Sequence, residues 1–237
     1  MKFINLLTAL GAGVFLTFGS MAVSAQNSDS LPAHVVNFAT TEAPDDHVTG
    51  NENAAITLIV WASVTCPHCG QWFSEEWPIV KSELVETGKL RVVFRPFPTA
   101  PAELSMTGFR LAECAPTEDY MSIIEYQMEN QKAISEAARE GRAPEVFTEI
   151  AKLAGMETSE AITTCLKNPD ITAHIIDSTN RAKLAKVKGV PAFLLNGEAY
   201  KGKQDAKSFV ALINDMYEKG LSTIPKDDAP SKARDHE

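Results

Sequence analysis

Between residues 54 and 99 the apolar positions fall into two strand-like runs with a helix between them. Ile56-Thr57-Leu58-Ile59-Val60-Trp61 is an almost unbroken apolar run, followed by a short turn from Ala62 to Thr65. Lys89 to Phe97 instead alternates Leu90, Val92 and Phe94 against Arg91, Val93 and Arg95, and ends in Pro96-Phe97-Pro98. The helix between them is predicted from Cys66 to about Thr87, where Gly88 stops it, with a kink or break at Pro78. Trp72, Phe73 and Trp77 fall inside it as core or groove-lining aromatics. From residue 100 to 186 the pattern turns helical. Segments at Ala102 to Glu113, Asp119 to Ala137, Glu145 to Leu153, Ser159 to Lys167 and Ile171 to Lys186 are separated by Pro116, the stretch 141–144, Gly155 and Asn168-Pro169. Strand periodicity then returns at Ala192 to Leu195 and Glu198 to Lys201 across an Asn196-Gly197 turn, and a helix is predicted from Asp205 to Lys219.

The two ends read differently. Residues 1–25 combine a positive Lys2, an apolar core from Leu6 to Phe18 and the small residues Val23-Ser24-Ala25, the composition of a cleaved secretory signal. That core is short for a bilayer span, and no Cys follows it to take a lipid, so no stable membrane anchor is expected. Residues 26–53 are a polar leader, ordered only near His47, with a short strand candidate from His34 to Phe38. His47 itself is expected to be a surface residue. Residues 221–237, with Pro225, Asp227, Asp228 and Pro230, are expected to be a disordered tail. Without residues 1–25 the chain keeps 21 basic and 31 acidic residues, a formal charge of -10. That balance argues against nucleic acid or an anionic membrane as partner. Export to the periplasm would place the cysteines where disulfides form and persist.

The chemistry is concentrated at Cys66-Pro67-His68-Cys69. Two thiols at this spacing can close a small disulfide ring. Cys66 stands at a helix start, where unpaired backbone N–H groups and the helix dipole favour an anion. Pro67 suits the first helical turn, because its missing N–H would have had no partner. His68 is positioned to favour the Cys66 thiolate further. A disulfide whose open form is stabilised in this way is an oxidant. A structural zinc site would need four ligands, and no second such pair or His-x3-His accompanies this one. Haem attachment would need His after the second Cys, where Gly70 stands. No metal and no cofactor are therefore expected.

Downstream, Gly189-Val190-Pro191 leads into a strand. Together with Cys66-Pro67-His68-Cys69 it resembles the thioredoxin superfamily, and specifically the DsbA-like thiol:disulfide oxidoreductases of the bacterial envelope. The resemblance spans about Asp46 to Gly220. It implies an α/β thioredoxin fold whose first half (54–99) and second half (187–220) flank an inserted all-helical subdomain (100–186). It implies catalysis by Cys66 and Cys69, modulation by Pro67 and His68, and a cis-proline at Pro191 that, with Val190, binds an extended substrate. The partners implied are reduced unfolded exported polypeptides and a DsbB-type membrane oxidase that recloses the disulfide. A disulfide isomerase or reductase and a redox-silent chaperone remain alternatives, although the leader is too short for an isomerase's dimerisation domain. One departure stands out: the strand position six residues before the first cysteine, where many relatives carry a proton-relaying carboxylate, is Val60. Glu75 and Glu76, on the helix, are expected to be solvated. Cys114 and Cys165 both fall in the helical block and are expected to bond to each other; two inert buried thiols, or a second redox pair, are the other readings.

Overall fold

The computed structural model describes residues 38–225. The proposed signal, most of the polar leader and residues 226–237 lie outside the described residues. The apolar run becomes β2 (Ile56–Ala62), the middle strand of a five-stranded sheet whose other members are β1 (His47–Gly50), β3 (Leu90–Pro96), β4 (Ala192–Leu195) and β5 (Glu198–Ala199). Their order is β1-β3-β2-β4-β5. β2 runs parallel to β3, with Val60 opposite Phe94, and antiparallel to β4, with Val60 opposite Phe193. β1 and β5 close the two edges in antiparallel fashion.

Side chains alternate across a strand, so β2 feeds two cores. Ile56, Leu58, Val60 and Ala62 face the larger one, together with Phe73, Trp77, Phe109, Phe193 and Phe209. Ile59 and Trp61 face a smaller one with Val93, Ala182 and Leu194. This is the α/β fold with a helical insertion that the family resemblance implies.

The helix after β2 is α1 (Pro67–Glu75), followed by α2 (Trp77–Val80) and a π turn, Lys81–Val85. The break falls at Glu76, φ −105° and ψ −41°, two residues before Pro78. Proline has no N–H to give the carbonyl four residues back, Ser74, and its ring crowds that carbonyl, so the first helix stops ahead of it and a new one starts with the ring in its first turn. The helical block consists of α3 (Ala102–Glu113), α4 (Tyr120–Glu129), α5 (Gln131–Arg139), α6 (Ala143–Leu153), α7 (Ser159–Leu166) and α8 (Pro169–Leu184). The single helix predicted from Asp119 to Ala137 is two, divided at Asn130, whose Nδ2 donates to the Tyr126 carbonyl at 2.8 Å. A side-chain amide competing for backbone groups interrupts a helix without Gly or Pro. A Cys114–Cys165 disulfide joins the end of α3 to α7, with the Cα atoms 6.0 Å apart. The last helix among the described residues is α9 (Ala206–Glu218), capped by Asp205 Oδ1, which accepts from the Ser208 N–H at 2.9 Å.

The strand candidate from His34 to Phe38 lies, except for Phe38, outside the described residues. The described residues ahead of His47 already belong to the fold: residues 38–40 are helical and Ala39 and Ala43 are buried. The reason lies on β3: the Arg95 guanidinium donates to the Ala39 and Thr41 carbonyls and forms a two-point pair with Asp46, at 2.9 and 2.6 Å. Residues 221–225, expected to be disordered, are part of the fold: Leu221 and Ile224 pack against the main core and the Ser222 carbonyl accepts from Asn196. Among the described residues, no helix is long and apolar enough to cross a membrane.

Candidate active site

β2 delivers the chain to the turn at residues 63–65, and Cys66 then takes the N-cap position of α1 in an extended conformation, φ −86° and ψ 119°. No side chain caps this helix, and Pro67 occupies its first turn. The helix therefore presents its free N–H groups at Cys66, as the pattern required. Cys66 is half-buried, Cys69 is fully buried, and both are free thiols. The Val190–Pro191 peptide is cis, and the Cys66 thiol donates to the Val190 carbonyl at 3.5 Å. Residues 124 positions apart in the chain thus meet at the reactive sulfur.

The two sulfurs differ sharply. Burial pushes the Cys69 thiol far up, and the neighbouring Cys66 adds to the effect; the Ser63 backbone N–H, donating to Cys69 Sγ at 3.4 Å, opposes it. Ser63 is itself held in place. Its hydroxyl lies 2.8 Å from Thr99 Oγ1, 3.1 Å from Ser105 Oγ and 3.2 Å from Thr65 Oγ1, a hydroxyl cluster joining the β2–α1 turn to the segment before α3. Val60 lies buried in β2 and contributes only packing there. Nothing in the sequence beyond nearness to the cysteines marked Ser63 and Thr65, and Thr99 and Ser105 carry no local signal at all.

A second support comes from the insertion. Gln131, the first residue of α5, donates through Nε2 to the carbonyls of Val64 and Cys66, each at 3.0 Å. Its amide also covers Gly70: a Cβ built there would stand 2.8 Å from Gln131 Oε1. No local signal announces this contact.

Beside Cys66 opens a groove of about 440 Å³ bordered by His68, Trp72, Glu75, Glu76, Val190 and Pro191. His68 faces this opening and is exposed. Trp72 and Trp77 are buried and belong to the core, with Trp72 Nε1 donating to the Gln204 carbonyl at 2.7 Å. Glu75 is exposed, as expected. Glu76 is not simply solvated, because its Oε2 accepts from the Ala206 N–H at 2.6 Å and so closes the start of α9.

His47 is likewise not a free surface residue. Its ring stacks on Tyr120 with centroids 3.5 Å apart, and its Nε2 pairs with Glu113 Oε2 at 2.9 Å. Glu113 also receives His174 Nδ1 at 3.1 Å. Burial opposes the charge on Glu113, but the two imidazoles outweigh it and hold the carboxyl below its usual range. Among the described residues, this group alone brings three metal-capable side chains together, although no metal was expected from the sequence.

Residues 42–215 match the family described as Thioredoxin. A Rickettsia prowazekii protein named as a protein-disulfide oxidoreductase is 30% identical over 154 residues, 65% of this chain and 55% of that protein. The chain thus spans about half the length of the Rickettsia relatives it matches. A Bacillus anthracis protein named as disulfide bond formation protein D is 23% identical over 203 residues, covering 83% of this chain and 91% of that one. The crystal structure of Wolbachia pipientis alpha-DsbA1 is similar in fold, with a TM-score of 0.68 at 23% identity over 78% of this chain and 96% of that chain.

Proposed function

Since this chain belongs to the thioredoxin family, as a DsbA-like member, we propose that it is a protein thiol:disulfide oxidoreductase that donates the Cys66–Cys69 disulfide to reduced, unfolded exported polypeptides. The observation that carries the reading is the asymmetry of the pair: a half-buried Cys66 at a helix start, and a Cys69 wholly enclosed.

In the oxidised protein a substrate thiolate attacks Cys66 Sγ, the accessible sulfur. The electron pair of the disulfide passes to Cys69, which leaves as a thiolate facing the Ser63 N–H and then takes up a proton. A second substrate thiolate attacks the substrate sulfur of the mixed disulfide, and Cys66 departs as a thiolate against the N–H groups of α1. The substrate loses two electrons and the pair gains them. Val190 and Pro191 dock the extended substrate beside Cys66, and Pro67 and His68 set how readily Cys66 holds its charge. The leader at 1–25 exports the protein to the periplasm, and a DsbB-type membrane oxidase recloses the pair.

The test is equilibration of the Cys66–Cys69 pair against glutathione buffers, together with oxidation of reduced, denatured ribonuclease. An oxidising pair, with Cys66→Ser inactive, supports the reading. A thioredoxin-like reducing poise would make it a reductase or isomerase, and aggregation suppression surviving Cys66→Ser, with no oxidation by either form, would make it a chaperone.

A further inference from the structure

His47 in β1, Glu113 at the end of α3 and His174 in α8 converge although 61 to 66 residues of chain separate Glu113 from each histidine. One ligand atom from each lies within 4.8 Å of the others. Donors bonded at roughly 2.0–2.2 Å to a tetrahedral ion stand about 3.3 Å apart, so modest ring rotations bring this set to a common centre. The two histidine side chains are 18% exposed and that of Glu113 is 7% exposed, and a cleft of about 190 Å³ bordered by His47, Thr117 and Tyr120 opens the site at His47.

Two independent observations point to a bound cation with a water beside it. The first is charge. Asp45, Asp46, Asp177 and Glu113 surround the site against two guanidiniums, Arg95 and Arg181, a deficit of two positive charges that one divalent cation fills as two protonated imidazoles would. Asp45 and Arg181 also supply the outer support a ligating histidine uses: Asp45 Oδ2 lies 3.6 Å from His174 Nε2 and is held by Arg181 at 2.6 Å. The second is Tyr120. Among the described residues its hydroxyl is buried without a hydrogen-bond partner, its ring lies flat against His47, and Glu113 and Asp46 are its charged neighbours. A buried hydroxyl left so carries the full cost of its lost hydration unless something nearby receives it.

We propose that His47, Glu113 and His174 bind a first-row divalent cation of the zinc class, with a water in the fourth position that pairs with the Tyr120 hydroxyl. Two imidazole nitrogens and one carboxylate oxygen suit zinc, cobalt or nickel; calcium and magnesium ask for an all-oxygen set. The ion fastens the β1 edge of the sheet to α3 and α8, immediately before the Cys114–Cys165 bridge.

The test uses the untagged protein with Cys66–Cys69 oxidised, so that the active-site thiols cannot compete for metal. Zinc chloride is titrated against a chromophoric chelator near neutral pH. The expected result is one zinc per chain, weakened in His47→Ala and in His174→Ala by no less than the roughly 10–100-fold that loss of an outer partner costs. Cobalt chloride should give the visible bands of a four-coordinate nitrogen and oxygen site, without the sulfur-to-metal band of thiolate ligation. Failure to bind zinc at micromolar concentration, affinity unchanged in both histidine variants, or preference for calcium overturns the proposal. Where circular dichroism shows a histidine variant unfolded, Asp45→Asn, which spares all three ligands, and the cobalt spectrum decide. An undiminished affinity with a weak six-coordinate spectrum is then the overturning result.

Discussion

Enclosing Cys69 should make the reduced protein sensitive to alkali in a way that its oxidised form is not. The thiol is fully buried, and burial holds it protonated far above the ordinary thiol range. In the unfolded chain the same group ionises near its free value of about 8.5. The folded pKa is therefore the raised one, so the stability it contributes is complete below the unfolded value and is lost as pH rises above it. At pH 10 the unfolded thiol is about 1.5 units past its midpoint, which favours unfolding by about 2 kcal/mol at 1.36 kcal/mol per unit. For a domain of this size that corresponds to a fall in Tm of roughly 4–8 °C. The assay is thermal denaturation of the reduced protein between neutral pH and pH 10, beside reduced Cys69→Ser. The buried Tyr120 is common to both proteins, so its titration cancels in the difference. Reduced wild type should lose the extra stability and the variant should not. Parallel pH curves would mean that Cys69 ionises inside the fold, and the enclosure invoked for the leaving sulfur would be refuted.

The buried pair and the disulfide give two further tests. The side chains of Arg95 and Asp46 are 1% and 2% exposed, so Asp46→Ala strands a guanidinium and should cost about 3–5 kcal/mol, a Tm drop of roughly 6–20 °C; a drop under about 2 °C would show that the carbonyls of Ala39 and Thr41 suffice. Replacing Cys114 and Cys165 together by Ser releases a loop with a separation of 51 and should cost about 4 kcal/mol by the chain-entropy argument, read from the denaturant midpoint, with disulfide donation by Cys66–Cys69 retained.

The site's skeleton was legible because its signals are local. An apolar run, a proline at a helix start, two cysteines and a Gly-Val-Pro step each impose their geometry within a few residues, and β2, α1 and the approach to β4 follow from them. The breaks were half legible: Pro78 marks the region of the interruption at Glu76, but Asn130 divides α4 from α5 through one side-chain bond that composition does not announce. What stayed hidden depends on residues distant in sequence. Arg95 reads as the polar face of an alternating strand, yet it is enclosed because Asp46 and two carbonyls of the leader reach it across about 50 residues. His47 reads as surface until Glu113 and Tyr120 arrive beside it. Ser63, Thr99 and Ser105 are ordinary turn and helix residues until the turn before Cys66 folds against the start of α3.

The Gln131 amide over Gly70 ties together two positions that no inspection of the redox dipeptide would connect. Exchanging Pro67 and His68 for another pair leaves that clasp alone. Grafting a four-residue motif with a side chain in the following position, or importing a helical block that lacks the glutamine, alters one partner of a steric lock without the other. Residues 70 and 131 therefore form a single heritable unit, inherited or replaced together.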